Sequence, residues 1–147
     1  MVVTRGKTNA VYVLDQKLKL TGKITNLAKD ERVYSARFLG DTGYFVTYKE
    51  TDPLFSVDLS NPKNPKILGR LKIPGFSNYL HFYGEDRLLG IGMSTDEESG
   101  VAEGVKITMF DISDRSDVKE ESTLVLDDLY GSHAAYDYKS VLADPEK

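Results

Sequence analysis

The chain repeats itself. One segment reads Val33-Tyr-Ser-Ala-Arg-Phe-Leu-Gly-Asp-Thr-Gly-Tyr-Phe-Val-Thr-Tyr48, and a second reads Ser77-Asn-Tyr-Leu-His-Phe-Tyr-Gly-Glu-Asp-Arg-Leu-Leu-Gly-Ile-Gly92. Each is a strand-like run, a short Gly/Asp turn and a second strand-like run, and Gly40 aligns with Gly84, 44 residues on. A third copy begins at Ser132-His-Ala-Ala-Tyr-Asp-Tyr138. A second signal runs in phase with the first. Val13-Leu-Asp15, Ser56-Val-Asp58 and Met109-Phe-Asp111 each close an apolar run, with 43 and 53 residues between successive aspartates. The later two continue as Asp58-Leu-Ser60 and Asp111-Ile-Ser113. The longer interval is taken up by Ser94–Lys106, an acidic, glycine-containing stretch that reads as a lengthened loop.

A period of about 40–50 residues with four strands in each is the signature of a β-propeller blade. The expected strands fall in order along the chain. An outer pair lies near Ala10–Asp15 and Lys19–Asn26. Four strands follow near Val33–Leu39, Gly43–Lys49, Leu54–Leu59 and Lys66–Ile73. Four more lie near Asn78–Tyr83, Arg87–Met93, Val105–Ile112 and Glu120–Leu126, and a last inner strand starts near His133. They are short, alternating and rich in Val, Ile, Tyr, Phe and Thr. The stretch Asn61-Pro-Lys-Asn-Pro65 must be a turn, because proline cannot donate to a central ladder. The expected fold is therefore all-β, made of four-stranded antiparallel blades in an incomplete propeller of about three blades. Residues 1–32 form a half blade, 33–76 and 77–131 one blade each, and 132–147 the start of another. Propellers generally close with four to eight blades. The expectation is thus a piece of a longer protein, with open blade edges available for self-association.

Composition removes several classes of function. There is no cysteine, hence no disulfide framework, thiolate chemistry or cysteine-based metal site. Two histidines leave little for a histidine-based zinc site. The net charge of −4 gives no electrostatic reason to bind nucleic acid. No apolar run approaches the length of a membrane span, and the first residues do not read as a secretory signal.

The stretches Tyr34–Tyr48, Asp52-Pro-Leu-Phe-Ser-Val-Asp-Leu-Ser-Asn-Pro-Lys-Asn-Pro-Lys66 and Leu71-Lys-Ile-Pro-Gly-Phe-Ser-Asn-Tyr-Leu80 resemble the bacterial and archaeal secreted proteins that carry a C-terminal β-propeller domain. The resemblance covers nearly the whole chain. It implies a secreted or surface-attached propeller, hence an extracellular or cell-surface location, with no catalytic residues to carry over. The chain departs from that pattern in showing neither an export region nor the remaining blades.

Several residues invite a chemical reading. Asp15, Asp58 and Asp111 have the carboxylates of metal or substrate ligands, but aspartate at a strand end is also a turn former that accepts bonds from nearby backbone N–H groups. The loop Asp96-Glu-Glu-Ser-Gly-Val-Ala-Glu103 clusters the oxygen ligands that calcium prefers, without the alternating ligands and fixed glycine of an EF-hand loop. The expectation is a solvated hairpin tip. Asp127-Asp128 reads as a turn. His81 and His133 fall on inner strands, where a propeller channel binds ligands, but no motif sets a nucleophile beside them. Tyr34, Tyr44, Tyr48, Tyr79, Tyr83, Tyr136 and Tyr138 suit either blade seams or a binding surface. Pro62-x-x-Pro65 reads as a rigid turn, and Gly90-Ile-Gly92 as a tightly packed strand, since no GxGxxG or Walker pattern follows. No residue is assigned a catalytic, cofactor-binding or metal-ligating role, and no cofactor is expected.

The function expected is non-catalytic: a blade face and loops presented to a protein, peptide or glycan at the cell surface. The alternative is part of a propeller hydrolase acting on polysaccharide or peptide, with catalytic groups completed by further blades. A scaffold of the WD40 kind ranks last, because there is no tryptophan for its Trp-Asp signature.

Overall fold

The computed structural model describes residues 1–5, 8–48, 52–96 and 99–146. Of the expected units, Gly6, Lys7, Lys49, Glu50, Thr51, Glu97, Glu98 and Lys147 lie outside the described residues. Eleven strands form three antiparallel sheets among the described residues. The first sheet holds β1 (Val2–Arg5), β2 (Thr8–Leu14) and β3 (Leu20–Leu27). The second holds β4 (Arg32–Leu39), β5 (Thr42–Tyr48), β6 (Asp52–Asp58) and β7 (Lys66–Ile73). The third holds β8 (Phe76–Phe82), β9 (Arg87–Thr95), β10 (Ala102–Asp111) and β11 (Lys119–Asp127). Each sheet is a simple meander, ordered as in the sequence. The chain is an all-β, incomplete propeller of open sheets.

The repeat explains the registers. β2, β6 and β10 each run to the recurring Asp15, Asp58 or Asp111. Each pairs with an outer strand that carries one extra residue at the same place: Thr21, Leu68 and Glu121 respectively. β1 therefore matches β5 and β9, and the first sheet has no counterpart of β4 and β8 among the described residues. The sequence suggested only the outer pair of this sheet. β1 is an addition, a run of four residues too short for alternation to show.

Two cores lie between the sheets. Tyr44, Val46 and Leu54 of the second sheet pack on Leu80, Leu88, Phe110, Ile112 and Val118 of the third. Phe45, Phe55 and Val57 pack on Val11 and Leu27 of the first. Neighbouring residues of β5 thus point into opposite cores, as the period of two requires, and the strand is buried from Thr42 to Thr47. Each such large side chain contributes about 1.5–3 kcal/mol by burial.

The loops after Asp58 and Asp111 lock neighbouring sheets together. A Cβ at Gly22 of β3 would stand 2.2 Å from the Pro62 carbonyl oxygen, and one at Gly69 of β7 would stand 2.6 Å from that of Ser116. Both glycines directly follow the extra residue of their outer strand, so one contact is used twice. The second is reinforced by Ser56 Oγ, which donates to the Arg115 carbonyl at 2.6 Å, and by Arg115, which donates to Thr42 Oγ1 at 2.9 Å.

The strand expected to start near His133 is absent. Residues His133–Ala135 and Tyr138–Ser140 form two single 3-10 turns instead. Ser132 Oγ accepts from Ala134 N and Asp137 Oδ1 accepts from Lys139 N, so local side-chain caps hold the backbone in turns.

Candidate functional site

The first strands of the two complete sheets, β4 and β8, are sheet edges that lie side by side. Ser35 Oγ donates to the Ser77 carbonyl at 2.8 Å and ties them. Both carry a bulge at the same repeat position, Tyr34 opposite Val46–Thr47 and Asn78 opposite Ile91–Gly92. Both then enter a turn whose glycine has a left-handed backbone, Gly40 at φ 54° and Gly84 at φ 72°. No atom lies within 4 Å of a Cβ built on either glycine, so backbone conformation alone selects the residue there.

This shared register places Arg37 and His81, each three residues before its turn glycine, at equivalent points of adjacent strands. Tyr79 links them. The Arg37 guanidinium lies over its ring, 5.1 Å from the centroid, and its hydroxyl is 2.9 Å from His81 Nδ1. The tyrosine and imidazole rings are stacked at 6.0 Å. Tyr79 is buried at 6% exposure, while Arg37 and His81 are half-buried and reachable from solvent. One guanidinium nitrogen donates to the Ala36 carbonyl at 3.1 Å, and no carboxylate pairs with Arg37 among the described residues. The cluster can offer a ligand a planar cation and an imidazole nitrogen.

Beside it, at the Tyr34 bulge, the rings of Tyr34, Tyr48 and Phe76 meet with centroids 4.8–5.8 Å apart. Tyr34 and Phe76 border a cavity of about 230 Å³ also lined by Asn78, Met93, Tyr130 and Tyr136. Tyr130 and Tyr136 are largely exposed at 72% and 93%.

The carboxylates take turn roles. Asp15 Oδ1 accepts from the backbone of Lys17 and Lys19, Asp58 Oδ1 from Ser60, and Asp111 Oδ1 from Ser113. The hydrogen bonds from Ser60 and Ser113 hold the Asp58 and Asp111 carboxyls below the usual carboxylate range. In the acidic loop, Asp96 Oδ1 accepts from Ser99 N and Oγ, and Glu103 Oε2 accepts from Ser94 Oγ at 3.1 Å. Asp127 ends β11 and Asp128 has φ 63°, which makes a turn. No group of three His, Asp or Glu is placed to hold a metal ion among the described residues. His133 lies in a 3-10 turn beside Leu89 and Leu142, apart from the His81 cluster. Tyr44 is a core residue, Tyr79 belongs to the Arg37 cluster, and Tyr136 and Tyr138 are exposed. Pro62 and Pro65 pack on Gly22, and a Cβ on Gly92 would fall 1.6 Å from the Phe76 carbonyl oxygen, so both motifs serve packing. Lys106, which the sequence did not single out, is buried with Nζ 3.1 Å from the Pro74 carbonyl and 3.2 Å from Glu120 Oε2.

An uncharacterized protein of Methanocaldococcus jannaschii is 49% identical over 137 residues, 93% of this chain and 21% of that protein. An uncharacterized protein of Archaeoglobus fulgidus is 47% identical over 138 residues, 94% of this chain and again 21% of that protein. The chain thus spans about a fifth of the length of these relatives. No solved structure matches it significantly. The family model described as a beta propeller domain matches residues 2–147. Its four-stranded repeats and this match make the chain a member of the beta propeller domain family.

Proposed function

We propose that the chain is a non-catalytic ligand-binding part of a larger propeller protein, secreted or held at the cell surface, that presents the edge formed by β4 and β8 to a protein, peptide or glycan. The observation that carries the reading is the Arg37–Tyr79–His81 cluster, on adjacent sheet edges and reachable from solvent. Edge positions of a rigid sheet array hold side chains precisely without a deforming backbone, which suits recognition. The extracellular location rests on the resemblance to secreted propellers alone. The hydrolase alternative gains no support: β4 and β8 carry no Asp or Glu that would form a paired-carboxylate centre.

The open edges of β1 and β11 expose backbone donors and acceptors. Their proposed partners are further strands, from neighbouring blades or from a second copy. The test of the function is an array of glycans and peptides probed with the chain and with Arg37→Met. Ligands lost in the variant support the reading. An array on which the variant binds everything the parent binds overturns it.

A further inference from the structure

We propose that the ligand of the β4–β8 edge carries an oxyanion, a carboxylate or phosphate group gripped by Arg37 and His81; this rests on the binding role assigned above to the same cluster. The chain as a whole is acidic, and several of its other cations in the described residues face acids. Arg70 lies 3.6 Å from Glu31, Arg87 pairs with Glu121 at 2.7 Å, and Lys106 with Glu120 at 3.2 Å. Arg37 differs. Among the described residues its fork has a single polar partner, the Ala36 carbonyl, and it lies over the Tyr79 ring rather than against an acid. A guanidinium resting over an aromatic ring keeps its remaining N–H donors available for two-point pairing with a carboxylate or phosphate.

His81 completes the grip. Its Nδ1 is engaged by the Tyr79 hydroxyl. With that hydroxyl donating, the ring proton sits on Nε2, which leaves a second N–H donor on this half-buried imidazole. Tyr79, at 6% exposure, sets the spacing of both and contacts them rather than solvent. A neutral sugar offers the guanidinium fork hydroxyl acceptors but no counter-charge, so the charge on the protein favours an anionic ligand.

The test uses the full chain at constant ionic strength. Sodium succinate and inorganic phosphate are titrated separately, with chloride as the control, and the His81 ring resonances are followed by NMR. The expected result is a saturable His81 shift with a dissociation constant in the millimolar range for at least one of the two anions and none for chloride. Arg37→Met, which keeps the aliphatic packing over Tyr79, should weaken binding at least about tenfold, and Arg37→Lys less, since a point charge replaces the fork. The anion that binds more tightly identifies the source, carboxylate or phosphate. The inference is overturned if neither anion shifts His81 saturably, or if a folded Arg37→Met binds as tightly as the parent. It fails alone, with the binding role intact, if an uncharged array ligand is lost in Arg37→Met while neither anion binds.

Discussion

Gly22 faces the carbonyl of Pro62 so closely that a Cβ there would stand 2.2 Å from the oxygen, and Gly69 meets Ser116 in the same manner. The neighbour in each case is backbone, which cannot swing aside. Gly22→Ala and Gly69→Ala should each destabilise by about 2–3 kcal/mol through overpacking of a blade seam. Gly40→Ala is the control. It has open space and a left-handed φ of 54°, so it should cost only about 1 kcal/mol. Urea unfolding of the three variants measures the ranking, and a Gly40→Ala loss equal to the other two would refute the seam argument.

Lys106 crosses from β10 to the segment between the second and third sheets, where it binds the Pro74 carbonyl and Glu120. Its side chain is 9% exposed and that of Glu120 is 33% exposed. Glu120→Ala leaves an ammonium buried with one neutral partner and should cost about 2 kcal/mol or more, whereas Lys106→Met releases a carboxylate that water can reach and should stay within about 1 kcal/mol of the parent. Thermal unfolding of the two variants decides the order. The opposite ranking would mean that the pair is held for its geometry and not burdened by desolvation.

The two four-stranded sheets were legible because alternation and turn glycines agreed: Val33–Leu39 and Arg87–Met93 were expected almost where β4 and β9 run. The family resemblance pointed to the propeller domain that the family match bears out. The tail was misread at His133 because Ser132 and Asp137 cap turns, a local preference that outweighed the repeat phase. The Arg37–Tyr79–His81 cluster was half visible. His81 stood out as a strand histidine, yet the alignment of Gly40 with Gly84 already set Arg37 in the same register. Tyr79 stood among the strand tyrosines, but its place between Arg37 and His81 was not legible, since side-chain contacts across sheets depend on how edges meet. Lys106 was hidden for a similar reason, because a lysine in a strand reads as a solvent-facing residue.

Stability should fall on the acid side for an assignable reason. Hydrogen bonds from Ser60, Ser113 and Ser116 hold Asp58, Asp111 and Asp114 below their ordinary value, and the hydrogen bond from Arg87 does the same for Glu121. Groups whose folded pKa is depressed stabilise the fold above the unfolded pKa, near about 4 for these side chains. That contribution is lost as pH falls through the lower folded value. The melting temperature should therefore be level near neutrality and decline below about pH 4. Asp111→Asn keeps an oxygen acceptor for the Ser113 turn without titrating, so its acid decline should be shallower than the parent's. Melting curves from neutral to strongly acid pH compare the two, and parallel declines would remove Asp111 from the account.

Calcium should leave the chain unchanged. In the loop between β9 and β10, Asp96 Oδ1 already closes a turn with Ser99 N at 2.8 Å and Oγ at 2.7 Å. Glu103 is bonded to Ser94 Oγ. A bound calcium takes six to eight oxygen ligands, and these two carboxylates each commit an oxygen to contacts that shape the hairpin. A ligand that bound only the folded loop at a hundred times its dissociation constant would stabilise by about 2.7 kcal/mol, which a melting curve resolves easily. The expected outcome is a melting temperature independent of millimolar calcium, with Asp96→Asn behaving like the parent. A rise with calcium that Asp96→Asn abolishes would instead make this loop a cation site.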